Sequence, residues 1–159
     1  MRNNFTDEKP TAPDAVTLSE ISAMLSGMLR HSSLLREAVR VGLDHKHFGQ
    51  TVEELPYYYL FAAMQDLYKQ YGALTAAIVT NRLLAWRDNR SLALNADAIN
   101  ELLSFIDTTF AANESFADTT RAEKSYVEDI ARRFIRERMI KGEVQAAINS
   151  ANGAPDDLE

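Results

Sequence analysis

The chain has 159 residues, no cysteine and a formal net charge of −6, with 46% apolar and 25% charged residues, which suits one globular core and disfavours several domains. Without cysteine there is no disulfide framework, thiolate metal site or cysteine nucleophile, and the expected setting is a reducing compartment, the cytoplasm. No apolar run reaches membrane-spanning length, and the opening MRNNFTDEKPTAPDA is too polar for a secretory signal, so no membrane partner is expected.

Residues 1–16 carry few apolar anchors and two prolines, so they read as a disordered N-terminal tail. Thr17 or Ser19 can cap a first helix bearing Leu18, Ile21, Leu25 and Met28. Leu34, Leu35, Ala38, Val39 and Leu43 give a second helical face, with Gly42 near its end and a stop expected near Asp44. Asp44, His45 and His47 are metal-donor types. Their adjacent spacing at a helix end favours a solvated capping role, so no metal site is expected. His31, alone at a helix junction, is given no catalytic role. Phe48, followed by Gly49, is expected to fold back and plug the end of the core.

Glu53 and Glu54 stand just before Pro56, where a first helical turn tolerates proline. They read as favourable charges at a helix N-terminus, not as an acid–base pair. The next helix carries Tyr59, Leu60, Ala63, Met64, Leu67 and Tyr71 and ends at Gly72. Tyr57, Tyr58, Tyr59, Phe61 and Tyr68 could stack bases, but their clustering on one helix fits core packing better. Thr75 is a plausible N-cap for a helix with Ala76, Val79, Leu83 and Trp86. Asn95 or Asp97 starts another with Ile99, Leu102, Leu103 and Ile106.

The last and longest helix is expected from about Thr120 to Ile148. Its apolar positions cover more than the single stripe a surface helix needs, which leaves two readings open: a central helix buried in a monomer, or a helix that also faces a second chain. On the second reading, Phe110, Tyr126, Ile130, Phe134, Ile135, Met139 and Ile140 form a self-association interface. The same helix is rich in arginine. Its basic residues read either as a solvated face with internal ion pairs or as a docking surface for an acidic partner, with Arg132, Arg133, Arg136 and Arg138 as the candidates. Throughout, no two-residue alternation appears, so the fold expected is all-α, a compact helical bundle over residues 17–148. NSANGAPDDLE from Asn149 to Glu159 reads as a linker, or as the remnant of a cloning site in its last two residues, and suggests an N-terminal fragment of a longer protein.

No catalytic chemistry emerges. None of the six glycines heads a phosphate loop, and Lys141-Gly142 is in the wrong order for one. No catalytic residue, bound cofactor or metal ligand is therefore assigned, and ATP hydrolysis would lie outside this chain. A helical-bundle enzyme is disfavoured because no repeated inward Glu or Glu-x-x-His pattern is present. The negative net charge repels phosphate, so direct nucleic-acid binding is expected to be weak or absent.

The order of these anchors resembles the N-terminal domain of bacterial and phage replicative DNA helicases of the DnaB type. The likeness runs from about residue 18 to 148. It comprises a first helix over Ile21–Leu29, a helix ending in a polar stretch and Phe over Leu34–Phe48, and an aromatic-rich helix over Tyr57–Tyr71. A glycine-containing break and short helix follow over Gly72–Trp86, then a helix over Ala98–Phe110. The series closes on a long arm opening with Tyr126 and continuing through Arg132, Arg133, Arg136 and Arg138. The resemblance implies a compact helical bundle with a C-terminal helical-hairpin extension, and a domain that assembles: hairpins, here Phe105–Phe110 with Tyr126–Ile140, pair into dimers and a hexameric collar above a motor ring that alone uses ATP and Mg. It also implies docking of primase or a helicase loader. Family members often place a basic or His residue before the aromatics near Tyr57–Phe61 and an Asp near Leu74–Thr75; their absence here suggests a divergent, phage-encoded member. The alternative is a free-standing helical adaptor or regulator, such as a phage protein that binds a host factor.

Overall fold

The computed structural model describes residues 16–111 and 120–151, and side chains within the last helix from 121 to 138. The expected tail and linker lie almost wholly outside the described residues. Six α-helices are found among those residues: α1 Leu18–Arg30, α2 Ser32–Arg40, α3 Leu55–Tyr71, α4 Ala76–Asp88, α5 Ala96–Ala111 and α6 Thr120–Ala151. Two 3-10 turns, His45–His47 and Val52–Glu54, join α2 to α3. The fold is an all-α bundle.

Local chemistry sets most boundaries. Thr17 is extended, and its side chain accepts the Glu20 N–H at 3.1 Å while the Glu20 carboxylate accepts the Thr17 N–H at 3.1 Å. This reciprocal box satisfies two donors that a helix start leaves unpaired, and it selects Thr17 over Ser19. Thr75 Oγ1 accepts the Ile78 N–H at 3.2 Å, and Asn95 Oδ1 accepts the Ala98 N–H at 2.8 Å, so both act as caps. Gly72 closes α3 at φ 78°, a left-handed conformation that glycine adopts without a Cβ clash, and its N–H reaches Tyr68 O at 2.8 Å. Helix α2 ends at Arg40, a turn earlier than the expected stop near Asp44.

The core is one continuous cluster built from every helix. Phe48 is buried, as a plug should be, with its ring 5.1 Å from Phe61 and 4.9 Å from Phe134 between centroids. Phe61 is fully buried, and Tyr57, Tyr58, Tyr59 and Tyr68 pack against the core from its margin. Helix α1 lies against α2, α5 and α6, while α3 lies against α4 and α5. The α1–α6 crossing is close. A Cβ on Gly27 would stand 2.6 Å from Val127 Cγ2, so a side chain there would push the two helices apart.

The principal partners of α6 are α1 and α2. Its stretch from Val127 to Phe134 therefore seals the bundle, whereas a hairpin of Phe105–Phe110 with Tyr126–Ile140 would set it against α5. At 1.5 Å per residue the 32 residues of α6 run about 48 Å, against about 20 Å for the 13 residues of α1. Helix α6 thus outruns the helices it packs on.

Candidate interaction surface

Helix α6 presents two faces. Val127, Ile130, Ala131, Phe134 and Arg138 are buried, at the three-and-four spacing that puts them on one side. Tyr126, Asp129, Arg132 and Arg136 are exposed on the other, with Tyr126 at 48%. This corrects two residues of the expected interface: Ile130 and Phe134 are both 0% exposed and belong to the core of the single chain. A short amphipathic bundle needs one helix with apolar residues across a wide arc to close it, and α6 does so. Ile135 and Phe110 are half-buried against the core, and the side chains of Met139 and Ile140 lie outside the described residues.

The four arginines also divide. Arg132 and Arg136 are exposed. Arg133 is half-buried: its Nη2 donates to Glu20 Oε2 at 2.8 Å and its Nε to Asp129 Oδ2 at 3.2 Å, tying α6 to the start of α1. Arg138 is not a docking residue. Its side chain is 4% exposed, Nη2 donates to Glu54 Oε2 at 2.7 Å, and the guanidinium carbon lies 4.6 Å from the Phe134 ring centroid. Nε and Nη1 are buried with no hydrogen-bond partner among the described residues. Glu54 stands at the start of α3, as expected, and is in addition buried against Arg138; its Oε1 also accepts the Gln50 N–H at 3.2 Å. The signal was present in the spacing: Arg138 falls four residues after Phe134 and so shares its buried face.

Glu20 is held below the ordinary glutamate value of 4.5, first by the hydrogen bond from Arg133 and then by the Thr17 N–H. Its folded pKa is depressed, so the stabilisation is fully present above the unfolded pKa and is lost as pH falls through the folded one. Acid unfolding of Glu20→Gln should accordingly show a shallower loss of stability between about pH 5 and pH 3 than the wild type. Parallel slopes in urea titrations across that window would contradict the pairing.

Asp44, His45 and His47 are joined by local bonds: the Asp44 N–H donates to His47 Nδ1 at 3.1 Å, and His45 Nδ1 lies 3.1 Å from Asp44 Oδ1. Among the described residues no group of three His, Cys, Asp or Glu side chains is placed to hold a metal ion, and no helix is long and apolar enough to cross a membrane.

A further concave surface is lined by residues of α2 and α3. A groove of about 300 Å³ is lined by Leu35, Arg36, Val39, Gln65, Tyr68 and Lys69. Its floor is apolar, and Arg36 and Lys69 at its rim form no ion pair among the described residues. Sequence reasoning missed it because the placement of α2 and α3 on either side of one groove is a tertiary fact. The arrangement is an apolar seat flanked by two cations, together with an arginine-bearing helix longer than the helices it packs on. No family model, curated protein or solved structure matches the chain.

Proposed function

We propose that this chain is the N-terminal collar domain of a DnaB-type replicative helicase, which assembles with copies of itself and docks primase or a helicase loader during DNA replication. The observation that supports it best is α6, a helix whose first half closes the bundle and whose length carries the chain well past α1 and α2. An arm of this kind offers copies a shared scaffold, and it follows the same order of anchors that carries the likeness to that family: the Phe48 plug, the aromatic α3, the Gly72 break and α5. Catalysis belongs to a motor domain encoded downstream, with ATP and Mg bound there and not here. With Ile130 and Phe134 enclosed, self-association draws on Tyr126, the arm beyond Arg138 and other exposed faces of the bundle. Exposed Arg132 and Arg136 serve an acidic partner surface, and DNA binding by this domain is weak.

Light scattering on the purified chain at about 5 to 100 µM tests the assembly directly. A dimer or larger species is expected at the upper end, and removal of residues 139–159 should weaken it while circular dichroism shows the bundle intact. A wild-type chain that stays monomeric throughout rejects the collar role. The coding sequence downstream supplies the independent check: a phosphate-loop motor domain supports the helicase, and a stop codon supports the free-standing adaptor.

A further inference from the structure

The 3-10 turn Val52–Glu54 places a convex element on the surface. Val52 is 83% exposed, the highest value among the large apolar side chains described. Glu53 beside it is exposed and forms no ion pair among the described residues. The turn is anchored from within. Glu54 points the other way, into its buried pair with Arg138, and accepts the Gln50 N–H, so the backbone that carries Val52 and Glu53 is fixed on both sides. A preorganised apolar tip with an adjacent carboxylate loses little conformational freedom on binding.

The groove between α2 and α3 has the complementary character. Val39, 37% exposed, and half-buried Tyr68 supply apolar surface above the buried Leu35, and Arg36 and Lys69 supply exposed positive charge that forms no ion pair among the described residues. An apolar side chain seated on that floor would bring a neighbouring carboxylate toward these cations. The tip cannot reach the groove of its own chain. It precedes α3, whereas Tyr68 lies 13 residues beyond Leu55 on that rigid helix, about 20 Å away along its axis. The two elements can meet only between molecules.

We infer that the Val52–Glu53 tip of one copy seats in the α2–α3 groove of another, with Glu53 paired to Arg36 or Lys69. The occupant is a second copy because both halves of the contact, opposite in shape and in charge, are carried by this one chain. The two surfaces are different. The contact therefore either closes reciprocally in a two-fold dimer or runs head to tail toward a ring or chain. The inference rests on the self-association reading and gives it a surface that the buried face of α6 cannot provide.

Analytical ultracentrifugation with circular dichroism on the full chain tests it. Val52→Arg disables the tip and leaves the groove; Val39→Arg disables the groove and leaves the tip. Each alone should weaken self-association by about tenfold or more without loss of helicity, the scale of a central contact residue. Mixed one to one, they should form a heterodimer through the single intact contact. Glu53→Lys and the double variant Arg36→Glu with Lys69→Glu should each weaken assembly, and all three substitutions together should restore it by reversing both charges.

Wild-type assembly that is unchanged in the single variants overturns this contact and leaves self-association standing. Weakening in both variants with no heterodimer on mixing also overturns it, because each surface then meets something other than its counterpart. A wild type that is monomeric at about 100 µM removes the self-association reading and this contact together.

Discussion

Replacing Glu54 with alanine should destabilise the fold by about 3–5 kcal/mol, because it leaves the Arg138 guanidinium buried without its counter-charge. Two nitrogens of Arg138 already lack hydrogen-bond partners, so there is no second acceptor at hand among the described residues to take over. For a domain of this size the loss corresponds to a midpoint lower by roughly 10 °C. The pair itself should matter far less than its breakage. Desolvating two charges offsets most of their mutual attraction, and well-packed apolar side chains of similar volume often do as well. The double variant Glu54→Met with Arg138→Met should therefore recover most of the stability lost in Glu54→Ala. Urea unfolding followed by circular dichroism checks both halves. A single-variant loss below about 1 kcal/mol would mean that Arg138 reaches water in solution.

Phe134→Ala should cost about 3–5 kcal/mol, the range for removing a large, fully enclosed aromatic side chain. The ring meets Phe48 at 4.9 Å and lies under the Arg138 guanidinium, so its loss opens a cavity at the point where α6 and the plug between α2 and α3 converge. Phe134→Asp goes further, since it adds an unpaired charge to that cavity, and it should yield an unfolded chain. Tyr126→Ala, on the exposed face eight residues earlier, should change stability by about 0.5 kcal/mol or less. Circular dichroism with light scattering separates the cases. A folded, monomeric Phe134→Asp protein would return Phe134 to an interface between chains and contradict its place in this core.

These two expectations fall on the residues where sequence reading and structure part. The sequence by itself determined what short-range chemistry controls. Thr75 caps α4 because its side-chain oxygen satisfies a nearby backbone donor, and Gly72 ends α3 because only a residue without a Cβ turns left-handed at no steric cost; at the starts of α1 and α5 the residues offered Thr17 or Ser19 and Asn95 or Asp97, and the structure uses Thr17 and Asn95. Pro56 opens α3 for the same kind of local reason, and Phe48 was recognisable as a plug from an aromatic ring set between polar residues and a glycine. The all-α class follows from period alone.

Only the tertiary structure decided which way a wide apolar helix faces and which charges meet. Periodicity shows that α6 carries apolar residues across a broad arc; it cannot say whether a second chain or α1 and α2 cover them, because either would bury the same surface. The structure assigns Ile130 and Phe134 to the monomer. Glu54 and Arg138 are 84 residues apart in sequence and touch at 2.7 Å, a pairing that no local rule reaches and that converts a helix-start charge and a candidate docking arginine into an internal brace. The α2–α3 groove depends in the same way on where the bundle sets two helices that a long connection separates. Its cations, Arg36 and Lys69, look in sequence like any other solvated pair, and only the tertiary structure sets Leu35, Val39 and Tyr68 in one groove with them.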